Sequence, residues 1–245
     1  MRRRGISFAV LTAITSSLVV AASAQATYHE NLIREVHEGG VTGDYVELQA
    51  YAPGQNLVGG KYINTYDGGG TLMTSTLISA DVANGANQAT ILIAHDASTP
   101  GADVVSAGLN VVNTGGTVCY STSPVGTAAA LDCVAYTSGP TAFPTPPPSP
   151  YGTPVSLPGG DLTGKTLVRS IARGCATTLD AADDTNNSSA DFTVGTGNPR
   201  GNTVTPTETP CPTPQATKKK CKKHKKKKSG AYSAKKKNCK KKKHH

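Results

Sequence analysis

Residues 158–170, PGGDLTGKTLVRS, place Gly159, Gly164, Lys165 and Thr166 in the spacing G-x-x-x-x-G-K-[ST]. That pattern cradles nucleotide phosphates when a buried strand delivers the loop and a helix begins directly after it, aiming backbone N–H groups at the phosphates. The flanking residues meet neither condition. A Pro-rich stretch precedes the pattern, and TLVRSI after it alternates like a strand, with β-branched Thr166 and Val168. Gly-rich sequence matches this spacing easily by chance. Lys165 is expected at the start of a surface strand, without a nucleotide role.

Other residues that could do chemistry are few. Before the C-terminal segment the histidines are His29, His37 and His95, and neither HENLI nor HEGGV completes the H-E-x-x-H zinc pattern. There is no G-x-S-x-G nucleophile turn. His95-Asp96 has no strong nucleophile placed with it and reads as a surface pair. No catalytic residue and no cofactor is expected. The segment 179–191, LDAADDTNNSSAD, gathers Asp180, Asp183, Asp184 and Asp191 with Asn186 and Asn187. Such oxygen-rich loops can hold Ca²⁺, although the EF-hand order is absent. The other reading is a structural turn, because Asp and Asn bond to nearby backbone.

Six cysteines, at 119, 133, 175, 211, 221 and 239, form no CxxC pair. A zinc site is therefore disfavoured and disulfides fit an oxidising compartment. Six thiols allow 15 complete pairings. One pair stands out: Cys119 in TVCY and Cys133 in LDCVAY face each other if these successive strands form a hairpin. In antiparallel pairing the same register sets Tyr120 opposite Asp132. The partners of Cys175, Cys211, Cys221 and Cys239 stay open.

The elements that would position these residues divide sharply. Residues 1–26 read as a signal peptide: MRRRG, the apolar ISFAVLTAITSSLVVAA, and small-residue cleavage sites ending at Ala24 or Ala26. No later apolar run approaches the roughly 18 residues of a membrane span. The mature chain is expected without a transmembrane helix, outside the cytoplasm, secreted or associated with the cell surface. Between residues 27 and 217, six basic residues stand against all 16 acidic ones, a net charge of −10. Residues 218–245 carry 16 lysines and no acid. Such a block cannot bury enough apolar surface to fold alone and reads as a disordered interaction tail.

Residues 27–204 suit one domain. No stretch sustains helical apolar spacing, whereas DYVELQAY alternates, with Val46, Leu48 and Ala50 on one face and Tyr45, Glu47, Gln49 and Tyr51 on the other. GKYINTY, ended by DGGG, is a second strand, and the continuous apolar run ATILIAH suggests a third, buried on both faces. In GLNVVNTGGTVCY the NTGG reads as a hairpin turn, and LDCVAY, TLVRSI and ADFTV follow as strands. Seven or eight short strands imply an all-β, antiparallel sandwich. The Pro-rich stretch 139–164 is expected as an extended surface loop outside any sheet, and 205–217 as an unfolded Pro/Thr stalk.

NLIREVHEGGVTGDYVELQAY resembles the opening of bacterial lamin-tail-type domains, where I-x-E-V leads through a Gly-rich turn to D-[FY]-[VI]-E-L. TGGTVCY and LDCVAY resemble that family's central hairpin. GKTLVRSIARGCATTLDAADDTNNSSADFTVGTGNPRGN resembles its end. The likeness spans residues 28–204 and is specific mainly at the two ends; the family's mid-domain aromatics are missing. It implies an immunoglobulin-like β-sandwich used for attachment, with no catalytic residues.

Beyond the stalk, KKKCKKHKKKK and KKKNCKKKKHH form an imperfect repeat. Lys218, Lys219, Lys220, Lys222, Lys223, Lys225, Lys226, Lys227, Lys228, Lys235, Lys236, Lys237, Lys240, Lys241, Lys242 and Lys243 are the candidate polyanion-binding residues. Segments of this charge density bind anionic polymers through counterion release. The bland alternative is a solubility tail. The expected function is a non-enzymatic exported attachment protein whose tail holds an anionic envelope polymer or extracellular nucleic acid. The alternative is a secreted module that binds carbohydrate or protein.

Overall fold

The computed structural model describes residues 28–40, 42–125, 130–139, 151–209 and 211. Residues 1–26, read from the sequence as a signal peptide, residues 140–150 and the sixteen tail lysines lie outside them. The described residues belong to a unit that ends at Cys211. They are mostly strands: β1 (Asn31–His37), β2 (Tyr45–Ala50), β3 (Tyr62–Asp67), β4 (Leu72–Leu77), β5 (Thr90–Ala94), β6 (Val104–Val105), β7 (Gly115–Ser121), β8 (Ala130–Thr137), β9 (Val155–Ser156), β10 (Thr166–Arg169) and β11 (Phe192–Gly195). One four-residue helix, α1 (Ser188–Asp191), precedes β11.

Two sheets form, one of order β11-β10-β1-β2-β5-β6 and one of order β4-β3-β7-β8-β9. Their inner faces share a single apolar cluster, with Ile33, Val36, Val46, Leu48 and Ile93 from the first sheet against Ile63, Val118, Tyr120, Val134 and Tyr136 from the second. This is an all-β sandwich. Burying each large aliphatic side chain stabilises it by about 1.5–3 kcal/mol, which lets Val, Ile, Leu and Tyr fill a core that contains no Trp.

The pattern I-x-E-V in β1 breaks strict alternation, and the pairing shows how. Ile33 pairs with Leu48, Glu35 with Glu47 and Val36 with Val46, with a register shift between Ile33 and Glu35. Arg34 is thus the extra residue of a β-bulge. The bulge brings Ile33 and Val36 onto the same inner face although they are three apart.

The hairpin of β7 and β8 has the expected register: Cys119 pairs with Cys133 and Tyr120 with Asp132. Cys119 and Cys133 are disulfide-bonded. A second disulfide joins Cys175 to Cys211. These two bonds consume four of the six cysteines, leaving Cys221 and Cys239 in the segment outside the described residues.

Several expectations are corrected. The sheets are mixed rather than purely antiparallel, because β6 runs parallel to β5 and β9 parallel to β8. NTGG does not close a hairpin. Residues 109–112 form no strand because side chains take their backbone groups: Asp44 accepts from Val111 N, and His95 Nδ1 bonds Leu109 O. β7 pairs instead with β3 and β8. Part of the Pro-rich stretch does join a sheet, since Val155 and Ser156 keep their N–H groups and lie at the edge, where proline is tolerated. Val155, Leu157 and Leu162 from the same stretch fill the core. Residues 205–211, read from the sequence as stalk, include Glu208 bonded to Arg200 and Cys211 bonded to Cys175.

Candidate functional site

Arg169 and Asp132 occupy core-facing positions on opposite sheets. On β10, Arg169 shares its face with buried Leu167; on β8, Asp132 shares its face with Val134 and Tyr136. Their side chains meet at 2.6 Å across the sandwich and are both almost wholly buried. The β1 bulge makes this possible. It frees Ile33 N to donate to Asp132 Oδ2 and Ile33 O to accept from Arg169 Nε. Arg169 also donates to Asp183 O and lies 4.5 Å from the Phe192 ring centre. Burial raises the Asp132 carboxyl to about 6, with the Arg169 guanidinium pulling it back down.

The acidic segment 180–191 wraps this arginine. Asp184 and Asp191 lie 3.6 and 3.9 Å from Arg169, and Asp191 also pairs with Arg173 at 2.8 Å. Asp183 accepts from the N–H groups of Ala172, Arg173 and Asp180. Asp180 accepts from Cys175 N and Ala182 N, and Asp191 from Thr185 and Asn187. The four carboxylates Asp180, Asp183, Asp184 and Asp191 are thus engaged by arginines and backbone, the arrangement of a structural Asx-rich turn. Among the described residues no group of three or more His, Cys, Asp or Glu is arranged to hold a metal ion.

A second assembly covers the outer face of the six-stranded sheet. Tyr45, Glu47 and Gln49 point outward as the alternation of β2 requires, yet all three are buried. A strap formed by residues 196–209 lies over them. Asn198 N donates to Glu35, Arg200 N to Glu47 at 2.6 Å, and Asn202 N to Asp103. Arg200 bridges Glu47 and Glu208, and Gln49 donates to Glu208. Gly201 packs against Gly101 O so closely that a side chain at 201 would displace the strap. Burial raises Glu47 to about 8, although Arg200 opposes the shift. The Cys175–Cys211 disulfide fastens the far end of the strap.

The phosphate-loop look-alike lies beside this strap. Lys165 Nζ donates to Pro158 O and Asp161 O, and the chain continues from Lys165 into strand β10 rather than a helix. Lys165 and Thr166 line a cleft of about 420 Å³ with His37, Tyr45 and Gly195–Gly197. His37 stacks on Tyr45 and bonds Thr166 Oγ1, and Tyr45 OH donates to Glu35. His95 is held by Leu109 O, and His29 stacks on Tyr28.

Sequence reading missed the Arg169–Asp132 pair and the strap. The first had a signal: opposite charges at inward positions of two strands. The second had none, because the strap is an irregular segment whose partners lie up to 163 residues away. No helix among the described residues is long and apolar enough to cross a membrane. No protein-family model matches the chain, and no curated protein matches it.

Proposed function

We propose that the chain is a non-enzymatic, exported attachment protein, in which an immunoglobulin-like sandwich of lamin-tail type is held at an anionic polymer by the lysine-rich tail. The observation that carries this reading is the clamp at the end of the sandwich. The last described residue, Cys211, is covalently tied to Cys175, and the strap before it is bonded to Glu35, Glu47 and Asp103. Tension applied through residues 212–245 is therefore borne by a disulfide and a hydrogen-bonded strap before it reaches the sheet. That suits attachment. The second reading, a secreted module for carbohydrate or protein, is favoured by the cleft between His37, Tyr45 and Gly197. Concave sites with a few convergent polar groups are where ligands bind.

Fractionation of the host expressing the chain with and without residues 218–245 separates the two. Release of the shortened protein into the medium supports attachment. Unchanged distribution favours the secreted module.

A further inference from the structure

A pocket of about 280 Å³ lies between the end of β1 and the strand β4, lined by Glu38, Met73, Asn110, Val111, Val112 and Asn113. Glu38 is 6 % exposed, and its Oε2 is buried with no hydrogen-bond partner. Buried carboxylate oxygens are ordinarily paired, so an unpaired one marks a place where a donor is missing. The neighbouring Asp44 makes the contrast: its two oxygens accept from Gly39 N and Val111 N. Glu38 is fixed through its backbone, with N–H donating to Lys165 O and its carbonyl accepting from Gly164 N. Its carboxyl is held more loosely, by a 3.3 Å bond from Gly40 N to Oε1.

The rest of the lining selects the donor. Asn113 Nδ2 donates to Thr163 Oγ1, which leaves its Oδ1 available as an acceptor. No Lys or Arg lines the pocket. After burial, Asp44 and then Glu38 are the further causes that push the nearby Tyr136 phenol upward. Met73, Val111 and Val112 supply an apolar wall. Met73 is the extra residue of a bulge in the β3–β4 pairing, where Thr65 faces Thr74 and Tyr66 faces Leu72. Bulges re-aim a side chain, and this one leaves Met73 at the pocket, half exposed.

We propose that this pocket binds a primary alkylammonium group, with the ammonium on Glu38 and Asn113 and the methylene stem along Met73, Val111 and Val112. An ammonium has three donors and no acceptor, which matches a site made of acceptors. A guanidinium pairs best with two free carboxylate oxygens in its plane, whereas Glu38 Oε1 already accepts from Gly40 N, and Ca²⁺ takes six to eight oxygens. In this arrangement the ammonium supplies the donor that Glu38 Oε2 lacks, while Oε1 keeps its bond from Gly40 N. The inference stands apart from the attachment reading, since it concerns the sandwich and holds or fails whether or not the tail anchors.

The chain has two methionines, Met1 and Met73, so a ¹³C-labelled methionine methyl reports the pocket almost alone. The full-length protein is titrated with 1,5-diaminopentane, with a peptide bearing one internal lysine, and with 1,5-pentanediol. The Met73 methyl resonance is expected to shift saturably with an amine and not with the diol. The tighter of the two amine ligands identifies the source, a free polyamine or a protein lysine. Glu38→Gln should weaken binding about tenfold through loss of a charge-assisted bond. Asn113→Leu, at an exposed position that leaves the buried carboxyl in place, should weaken it several-fold. No saturable shift with either amine, equal response to the diol, or unchanged affinity in both variants overturns the proposal.

Discussion

At the scale of residues, the chain's buried charges are structural keystones. Arg169 donates to Ile33 O, Asp183 O and Asp132 inside the sandwich, and is the only cationic partner of the buried Asp132 carboxylate among the described residues. Removing one partner of a buried ion pair leaves an uncompensated charge. Arg169→Met is expected to cost about 3–5 kcal/mol in urea unfolding. A loss below 1 kcal/mol would show that the pair is dispensable. Glu47 gives a pH signature. Its folded-state value is raised from 4.5 to about 8, chiefly by burial. The unfolded chain therefore releases this proton at lower pH than the folded one. The associated stability is fully present below pH 4.5 and is lost as pH rises through about 8. Glu47→Gln cannot ionise and should flatten this part of the decline. The check is the wild-type stability minus that of the variant, measured at about pH 5 and about pH 9. It should fall between them; a constant difference contradicts the shift.

At the scale of elements, the two disulfides act on different structures. Cys119–Cys133 crosses a hairpin already held by β7–β8 pairing, whereas Cys175–Cys211 closes a 36-residue separation and fastens an irregular strap. By loop-closure entropy the second is worth about 4 kcal/mol. Its loss should act first on the strap, whose contacts are hydrogen bonds rather than an apolar core. Cys175→Ser with Cys211→Ser is expected to expose Arg200 to trypsin while the sandwich stays folded. Resistance at Arg200 equal to wild type would mean that the hydrogen bonds to Glu47 and Asp103 hold the strap alone. The hairpin register was legible because Cys119 and Cys133 lie on successive alternating strands, and a period of two leaves little freedom once one cross-strand pair is set. β4 was not legible: LMTSTL has neither clean alternation nor a strongly apolar face. Its strand state comes from pairing with β3 across the Asp67–Gly70 turn, where Asp67 accepts from Gly69 N and Thr71 N.

At the scale of the whole molecule, formal charge and displayed charge differ. Residues 27–217 sum to −10, yet Glu35, Glu38, Asp44, Glu47, Asp132, Asp183 and Asp191 are buried. Glu47, Asp132 and Asp191 are ion-paired with arginines that the net already counts, so repulsion of an anionic polymer comes from the remaining carboxylates. The tail has 16 lysines and one aromatic, Tyr232, so its affinity should come from charge neutralisation. If six lysines engage a single-stranded polyanion, log affinity should fall against log salt with a slope of about −4. Titrations of teichoic-type polymer, lipopolysaccharide and DNA at several salt concentrations measure it. A flat response, or equal binding by a chain lacking 218–245, sinks the tail as the binding element. Composition, alternation and cysteine spacing by themselves determined the β class, the split of charge and the Cys119–Cys133 hairpin, because each depends on local order or on simple counts. The bulge at Arg34, the Arg169–Asp132 pair, the burial of Tyr45, Glu47 and Gln49 beneath the strap, and the Cys175–Cys211 bond were decided only by the tertiary structure. Except for the bulge, which depends on the exact pairing register, each joins residues at least 36 apart in the chain, and whether a polar side chain faces water or another segment depends on what folds over it.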